Sequence, residues 1–379
     1  MTTYVRANEA ARILGVAPAT LYAYVSRGRV NRPTGPDGRT SLFALDEIEE
    51  LATRGRATTP ARRPTIDVQI TSGVTVLSDD GVRHHGFPLE DLVTCSYEAV
   101  AELLWTGQLP AATEWAPLPV DDRQAIEQLP TTTRPITRIA MAAQLLGDLH
   151  PDDDSPTAAR RLLAAAPILL GATRRTGPFA HRLATAWTRR PAAELVGAVD
   201  RALILLADHG LATSTLAVRV AASARTSPYA ALAAGLAAVD GELHGSASAL
   251  VHDFLAVCER NDPGPEIEAR RERRERIPGF GHKVYRRLDP RVEPLMEAVR
   301  AVAPADRLAL VDHTVEEVGR RLPTPPNVDL ALGALTWTTG LDPHFPIFAV
   351  ARIAGWAAHC QEEFAAPPLR FRGLANRPG

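Results

Sequence analysis

The strongest constraint on this fold is a series of long apolar segments with helical spacing, which recurs from residue 98 almost to the end of the chain. Some of them, such as 193–210 and 228–241, are apolar on nearly every side. A helix without a polar face is stable inside a large helical bundle or at a subunit interface. The pattern therefore predicts a mainly α protein whose helices end at Pro and Gly. The other segments with this spacing are 98–107, 135–149, 156–175, 213–224 and 327–337.

Composition sets the class of protein. The chain has 379 residues, 45% of them hydrophobic and 23% charged, so it can bury a sizeable core and exceeds one typical domain. The formal net charge of -2 gives no general attraction to nucleic acid or to an anionic membrane. The three cysteines, an odd and widely spaced set, favour a reducing cytoplasm over a disulfide framework. Without a long apolar run or a signal peptide, we expect a soluble, cytoplasmic protein that does not bind membranes.

The first 56 residues have a pattern of their own. Segments 7–14 and 18–27 predict two short helices around a Gly-containing turn, the helix-turn-helix plan, and a Gly- and Pro-rich hairpin at 31–43 follows. A capped helix from Asp46 completes a small winged module that resembles the DNA-binding domain of MerR-type regulators. We expect this module at 1–56, a Thr-, Pro- and Arg-rich linker at 57–65, and a large helical region from residue 66. Alternation at 66–77 predicts a strand at the start of the large region.

Candidate site residues stand at breaks between the helical segments. His209, His244 and His282 each lie beside a glycine, where the backbone and a ligand can approach closely. Their spacing of 35 and 38 residues does not match a metal site, so we expect no metal. No sequence motif for a phosphate loop is present either.

Three arginines, of which Arg291 lies nine residues beyond His282, add an anion-binding character. Arg291, Arg352 and Arg370 lie in or next to apolar segments, and a buried guanidinium is costly unless it meets an anion, which it can hold with two parallel hydrogen bonds. Asp329 stands at the start of an apolar helix. Asp329 is either a helix-capping charge or a catalytic carboxylate, and the residues alone leave both interpretations open.

Ordered motifs give the chain a specific family resemblance. Segments 207–223, 241–247, 277–291, 327–330 and 348–359 occur in the order and approximate spacing of citrate synthases, and 86–92 with 99–110 is similar to the family's entry segment. The chain resembles that family over about residues 66–373, and within it the subgroup that begins with a helix-turn-helix segment. The resemblance implies large and small helical domains within 66–379, with the small domain inserted at about 220–325, and a homodimer.

The resemblance also implies roles for individual residues. Citrate synthases condense acetyl-CoA with oxaloacetate, and the matching positions give Asp329 as the base, His244 as donor to the enolate oxygen and His282 as the acid for the ketone. The remaining implied ligands are His209, Arg291, Arg352 and a partner subunit's Arg370 for oxaloacetate, and Gly279, Gly281, Lys283 and Arg286 for CoA. Acyl-CoA is a co-substrate, and no cofactor is expected.

Departures from the family pattern and two alternatives remain. Gly210, Ala212, Ser246, Ser248, Ala249 and Phe371 replace residues that the family commonly carries.

Propionyl-CoA is an alternative acyl donor, which would give 2-methylcitrate, because one methylene changes the binding free energy by only about 1–3 kcal/mol. A regulator that senses these ligands and binds DNA is also open, although residues 1–56 carry only two more arginines than acids and the second helix is apolar at Leu21, Tyr22 and Tyr24. The basic run 268–276 could bind CoA phosphates or form a solvated, internally paired helix.

Overall fold

A computed structural model describes residues 3–33, 40–55, 69–78, 81–241, 244–282, 285 and 288–371. The described part is mainly helical, as the apolar periodicity predicts. None of the helices within it is long and apolar enough to cross a membrane.

The N-terminal module, defined here as residues 3–33 and 40–55, has a hydrophobic core of its own. Val5, Leu21, Phe43 and Ile48 are buried in it, separately from the core of the large region. Two helices flank a turn in which Gly15 adopts a positive φ of 67°, close to the predicted 7–14 and 18–27. The hairpin tip at 34–39 and the predicted linker 57–65 lie outside the described residues. The elements are β1 (Tyr4–Arg6), α1 (Ala7–Leu14), α2 (Pro18–Ser26), β2 (Leu42–Ala44) and α3 (Leu45–Gly55), with β1 antiparallel to β2.

A small antiparallel sheet opens the large region. Its strands are β3 (Thr75–Ser78), β4 (Gly81–His84) and β5 (Phe87–Pro88), in the order β3-β4-β5, and α4 (Leu89–Leu92) follows. The alternation at 66–77 predicts a longer strand, which is wrong for residues 69–74. Pairing stops because β4 ends at His84, where His85 and Gly86 turn the chain with positive φ angles.

The helices of the large region form two groups. In the first, α18 is the central helix, and α5, α8, α10, α11 and α12 all pack against it. The bounds are α5 (Tyr97–Thr106), α6 (Val120–Glu127), α7 (Pro135–Leu149), α8 (Ser155–Leu169), α9 (Phe179–Ala184), α10 (Ala193–Leu206), α11 (Thr213–Ser223), α12 (Pro228–Val239) and α18 (Ile347–Ala365).

The second group packs around α13 and α17, and α15 connects it to α10 of the first group. Its bounds are α13 (Ala247–Asn261), α14 (Pro263–Glu272), α15 (Val292–Val302), α16 (Ala305–Arg321) and α17 (Val328–Thr339). A continuous apolar core extends through both groups. Since α12 packs against α7 and α11, the second group of helices begins at α13, whereas the small domain at about 220–325 stays a prediction.

Candidate active site

The loop before α15 is held against the start of α17 by backbone pairing. Gly281 N donates to Pro325 O at 2.8 Å, and Asn327 N donates to Gly279 O at 2.9 Å. The side chain of Asn327 donates to Gly281 O at 2.7 Å and also accepts from Asp329 N at 3.0 Å, which caps α17. Gly279 has a φ of +81°, and a Cβ there would lie 3.0 Å from the backbone of Leu330. Glycine at 279 therefore permits the close approach that joins the His282 loop to the Asp329 helix.

Asp329 lies in the first turn of α17, and Asn327 is the capping residue. Its carboxylate is half-buried, and burial raises its pKa to about 6, although the positive charge of Arg291 acts in the opposite direction. A carboxylate with a raised pKa is a stronger base than one in water. Asp329 therefore differs from a fully solvated helix charge, and its catalytic role stays a prediction.

Arg291 is buried and held in place by Asp289. Nε and Nη2 of Arg291 donate to the two carboxylate oxygens at 2.9 and 2.8 Å, and Val328 N donates to the same carboxylate at 3.0 Å. Nη2 also lies 3.4 Å from Nε2 of His282. Asp289 thus connects the His282 loop to α17 and fixes the orientation of the guanidinium.

His209 and His282 meet beside Arg291. His209 lies between α10 and α11, with its ring centroid 5.3 Å from that of His282, and its Nε2 is 2.7 Å from the hydroxyl of Tyr285. Burial lowers the pKa of both imidazoles, to about 4 for His282, and the charge of Arg291 adds to the effect. Both rings are therefore neutral at neutral pH, in a form that can donate a hydrogen bond.

Arg352, on the central helix α18, is almost completely buried. Its Nε donates to Leu206 O at 2.9 Å, and its guanidinium lies 4.9 Å from the ring centroid of Phe348. Nη1 is buried and has no hydrogen-bond partner among the described residues. Burial lowers the pKa of Arg352 to about 10, and the nearby charge of Arg291 acts in the same direction. This nitrogen can accommodate an anion without breaking any existing hydrogen bond.

His244 stands between α12 and α13, on the Arg352 side of the cluster. Its Nε2 is 2.8 Å from the hydroxyl of Ser214, in the first turn of α11, and its ring centroid is 5.6 Å from that of Phe348. Burial lowers the pKa of His244 to about 4, and the charge of Arg352 contributes to this. Six of the predicted site residues therefore form one cluster: His209, His244, His282, Arg291, Asp329 and Arg352.

The remaining predicted residues are placed differently. Arg370 lies beyond α18, where its guanidinium pairs with both carboxylate oxygens of Glu363 and donates to Gln69 O at 3.2 Å. It is therefore outside the cluster of its own chain. Gly281 has a φ of +80° in the loop described above. Lys283 and Arg286 lie outside the described residues.

Sequence reasoning missed four residues that position the cluster. Ser214, Tyr285, Asp289 and Asn327 contact His244, His209, Arg291 and Asp329, respectively. Each lies in a segment on which the family resemblance depends, next to a residue that was singled out. A signal was present for Asp289, since an acid two residues before a buried arginine is a ready partner for its charge.

Comparison with known proteins gives the family and agrees with the fold. The family described as citrate synthase, C-terminal domain, matches residues 66–372. The chain therefore belongs to the citrate synthase family, and it is an enzyme of the transferase class. The matched range begins at residue 66, so the MerR-like assignment of the N-terminal module stays a prediction.

Some relatives of this chain are named 2-methylcitrate synthase and others citrate synthase. The 2-methylcitrate synthase of Mycobacterium tuberculosis is 31% identical over 325 residues, which cover 76% of this chain and 83% of the relative. Citrate synthase 2 of Bacillus subtilis is 31% identical over 335 residues, covering 78% and 90%. The solved citrate synthase of Thermotoga maritima has a TM-score of 0.69 at 22% identity, covering 83% of this chain and 94% of that one. At that identity the structural likeness shows the fold alone.

Proposed function

We propose that the enzyme condenses acetyl-CoA with oxaloacetate, giving citrate and CoA. The observation that carries this proposal is the pair of buried guanidiniums at Arg291 and Arg352, with Nη1 of Arg352 unpartnered among the described residues. Oxaloacetate has two carboxylates, and two fixed guanidiniums can bind both while His209 contacts the ketone or a carboxylate. Such a clamp holds the ketone carbon in one orientation for attack.

Asp329 is the proposed base for the acetyl C–H. Its half-buried carboxylate, with a pKa of about 6, is largely ionised at neutral pH and poorly solvated, which suits it to take a proton from a weak carbon acid. The resulting enolate carbon attacks the ketone and forms the new C–C bond. Water then cleaves the thioester, which releases CoA.

His244 is the proposed donor to the thioester oxygen, on which negative charge develops. In this proposal Ser214 Oγ donates to Nε2, which keeps the ring proton on Nδ1, where it can be directed at that oxygen. The low pKa of His244 supports this role because a neutral imidazole stabilises the enolate without fully protonating it. His282 is the proposed acid for the ketone oxygen: its neutral ring donates an N–H hydrogen bond to the developing alkoxide, and a proton that it passes on is replaced from water.

The CoA and dimer assignments belong to the same proposal. Gly279, Gly281, Lys283 and Arg286 would bind CoA, and Arg370 would complete the oxaloacetate site of a partner subunit in a homodimer. The position of Arg370 outside its own chain's cluster supports a role in a neighbouring site.

Propionyl-CoA is the second candidate donor, and the product would then be 2-methylcitrate. It is favoured by the names of the relatives from Mycobacterium tuberculosis and Corynebacterium glutamicum, which are 2-methylcitrate synthases. The two donors differ by one methylene, for which binding alone discriminates by only about 1–3 kcal/mol.

The test is a steady-state assay of CoA thiol release with oxaloacetate and either acetyl-CoA or propionyl-CoA. We expect turnover that requires both substrates, with kcat/KM higher for acetyl-CoA. The variant Asp329→Asn is the control, since it removes the base and should lower kcat by about 10²–10⁴-fold. Higher kcat/KM with propionyl-CoA would select the second candidate, and no release with either donor would refute the condensation.

A further inference from the structure

The N-terminal module lies beside the loop that carries His282, and a cleft of about 500 Å³ separates them. Tyr4, Asn31 and Arg32 of the module line one side of this cleft, and His282, Tyr285 and Thr324 line the other. Its volume is in the range of sites that hold cofactor-sized ligands. The route to the His282 side of the active site therefore has the module as one of its walls.

We propose that the N-terminal module forms the outer wall of the acyl-CoA channel, with Arg32 contacting a phosphate of the CoA arm, and that an ion pair between Glu9 and Arg274 holds this wall closed. This inference rests on the proposed function. It gives residues 3–33 and 40–55 a role in substrate binding that does not involve DNA.

Arg32 is the candidate phosphate contact among the described residues that line the cleft, which also include the carboxylates of Asp46 and Glu47. Glu47 is held by Asn31, whose backbone and side-chain nitrogens donate to its two oxygens at 3.0 and 2.7 Å. Asp46 accepts from the backbone N of Glu47 at 3.0 Å in the first turn of α3. Both carboxylates thus interact within the module. Arg32 is exposed, with its guanidinium 6.0 Å from the ring centroid of Tyr22, so it can approach an anionic ligand.

Arg274 is the arginine of the basic run 268–276 that reaches the module. Its guanidinium pairs with Glu9 of α1, whereas its neighbours pair locally: Arg270 with Glu266, Arg271 with Glu268, and Arg273 with Glu275, each at 2.7–2.8 Å. Arg274 follows the end of α14 and has a φ of +60°, which directs it away from the helix. Most arginines of this run therefore form ion pairs near the end of α14, and Arg274 connects the run to the N-terminal module.

The module and the large region have separate hydrophobic cores, so the proposal treats the module as a unit that opens and closes against the large region. Glu9 and Arg274 are partly exposed, so the pair shifts an open–closed equilibrium by about fivefold or less. Reversing one charge replaces attraction by repulsion and should have a larger effect than neutralising it.

The first experiment reverses the charge of residue 274 in the full chain, which breaks the ion pair with Glu9. We expect Arg274→Glu to raise the KM for acetyl-CoA by about 3–10-fold, with the KM for oxaloacetate changed less than about twofold. The double variant Glu9→Arg/Arg274→Glu should restore the wild-type KM. Arg273→Glu is the matched control, because Arg273 is similarly exposed and belongs to the same run but pairs within it.

The second experiment uses binding instead of turnover. Calorimetric titration of CoA into the full chain with oxaloacetate present should give a Kd about tenfold higher for Arg32→Gln than for wild type. Arg29→Gln, an exposed arginine of the same module, should have no effect. With an acyl-pantetheine thioester, which carries no phosphate, Arg32→Gln should bind like wild type.

The outcomes separate this inference from the proposed function. If condensation proceeds but the Arg274 and Arg32 variants bind acyl-CoA like wild type, the wall is refuted and the proposed function stands. A lower KM for acetyl-CoA in Arg274→Glu would also refute it, since the module would then obstruct the channel. If no condensation occurs but CoA binding depends on Arg32, only the proposed function fails.

Discussion

Two buried arginines, Arg219 on α11 and Arg352 on α18, have different surroundings. Arg219 and Arg352 are each about 1% exposed. Arg219 pairs with Glu362 at 2.7 Å and lies 3.6 Å from Glu363, whereas Arg352 has no carboxylate within ion-pair distance in the described part of the chain. Arg219, whose charge two carboxylates of the protein neutralise, has the surroundings of a structural group, whereas Arg352 has a charge that an anionic ligand could pair with.

Asp208 connects the surroundings of Arg219 with those of Arg352. Asp208 immediately precedes His209 of the site, and its carboxylate lies 3.3 Å from the Nε2 of His359 on the structural side. Burial alone would raise the pKa of Asp208, but the charges of His359 and Arg352 hold it below its usual range. The structural network thus places a negative charge next to His209, behind the proposed oxaloacetate site.

The largest effect on stability is expected for Arg219→Met. Removing one partner of a buried ion pair leaves carboxylate charge uncompensated, so the free energy of unfolding should fall by about 3–5 kcal/mol. Chemical denaturation monitored by circular dichroism measures this change. The KM for oxaloacetate should stay near wild type in the protein that remains folded, and a selective rise in that KM would place Arg219 in the site.

Arg352→Met should have the opposite effects: little change in stability and a large change in the KM for oxaloacetate. A methionine of similar length fills the buried position without a charge, so the free energy of unfolding should change by less than about 1 kcal/mol. The KM for oxaloacetate should rise by about 100-fold, since a buried charged contact to the substrate is lost. A loss of stability as large as that of Arg219→Met would show that Arg352 is structural as well.

Periodicity predicted the helices well because most are long and bounded by Gly or Pro. The segment 135–149 matches α7 at both ends, and 228–241 overruns α12 by two residues. The segment 156–175 overruns α8, which ends at Leu169 two residues before Gly171, at a φ of +89°. The strand at 66–77 was overestimated because alternation shows which residues can form a strand, whereas the partner β4 sets its length.

Six candidate site residues that lie together in the structure were predicted from motifs, but the residues that contact them could not be predicted. Which side chain contacts His244 depends on how α11 packs beside the 244 loop, and neither element contains that information alone. The pairing of residues 279–281 with 325–327 is equally non-local, since about 45 residues separate the two segments. Spacing in the sequence thus indicates candidate groups, and packing decides which ones meet.

His359 should make the structural network sensitive to alkaline pH. Burial alone would lower its pKa, but Asp208 and Glu362 raise it to about 9, above the usual 6.5. The folded state therefore holds a proton that the unfolded state has lost, and the stabilisation declines as the pH rises through about 9. We expect the free energy of unfolding to fall by about 1–3 kcal/mol between about pH 7 and pH 9.5.

Denaturation curves at several pH values would detect this decline. His359→Gln should remove the slope, and His252→Gln should retain it, because the pKa of His252 is lowered and it carries no proton in this range. A slope that survives in His359→Gln would assign the effect to another group.

Asp329 should make the site sensitive to acid instead, which sharpens the contrast between the two regions. Its pKa of about 6 means that the base is protonated, and inactive, at lower pH. The kcat/KM for acetyl-CoA should therefore fall about tenfold per pH unit below pH 6 and level off above about pH 7. His244 and His282, with pKa values of about 4, keep their neutral form down to about pH 5 and do not contribute to this limb. Asp329→Asn should give a low kcat/KM that does not fall further below pH 6. A fall that persists in that variant would identify a different base.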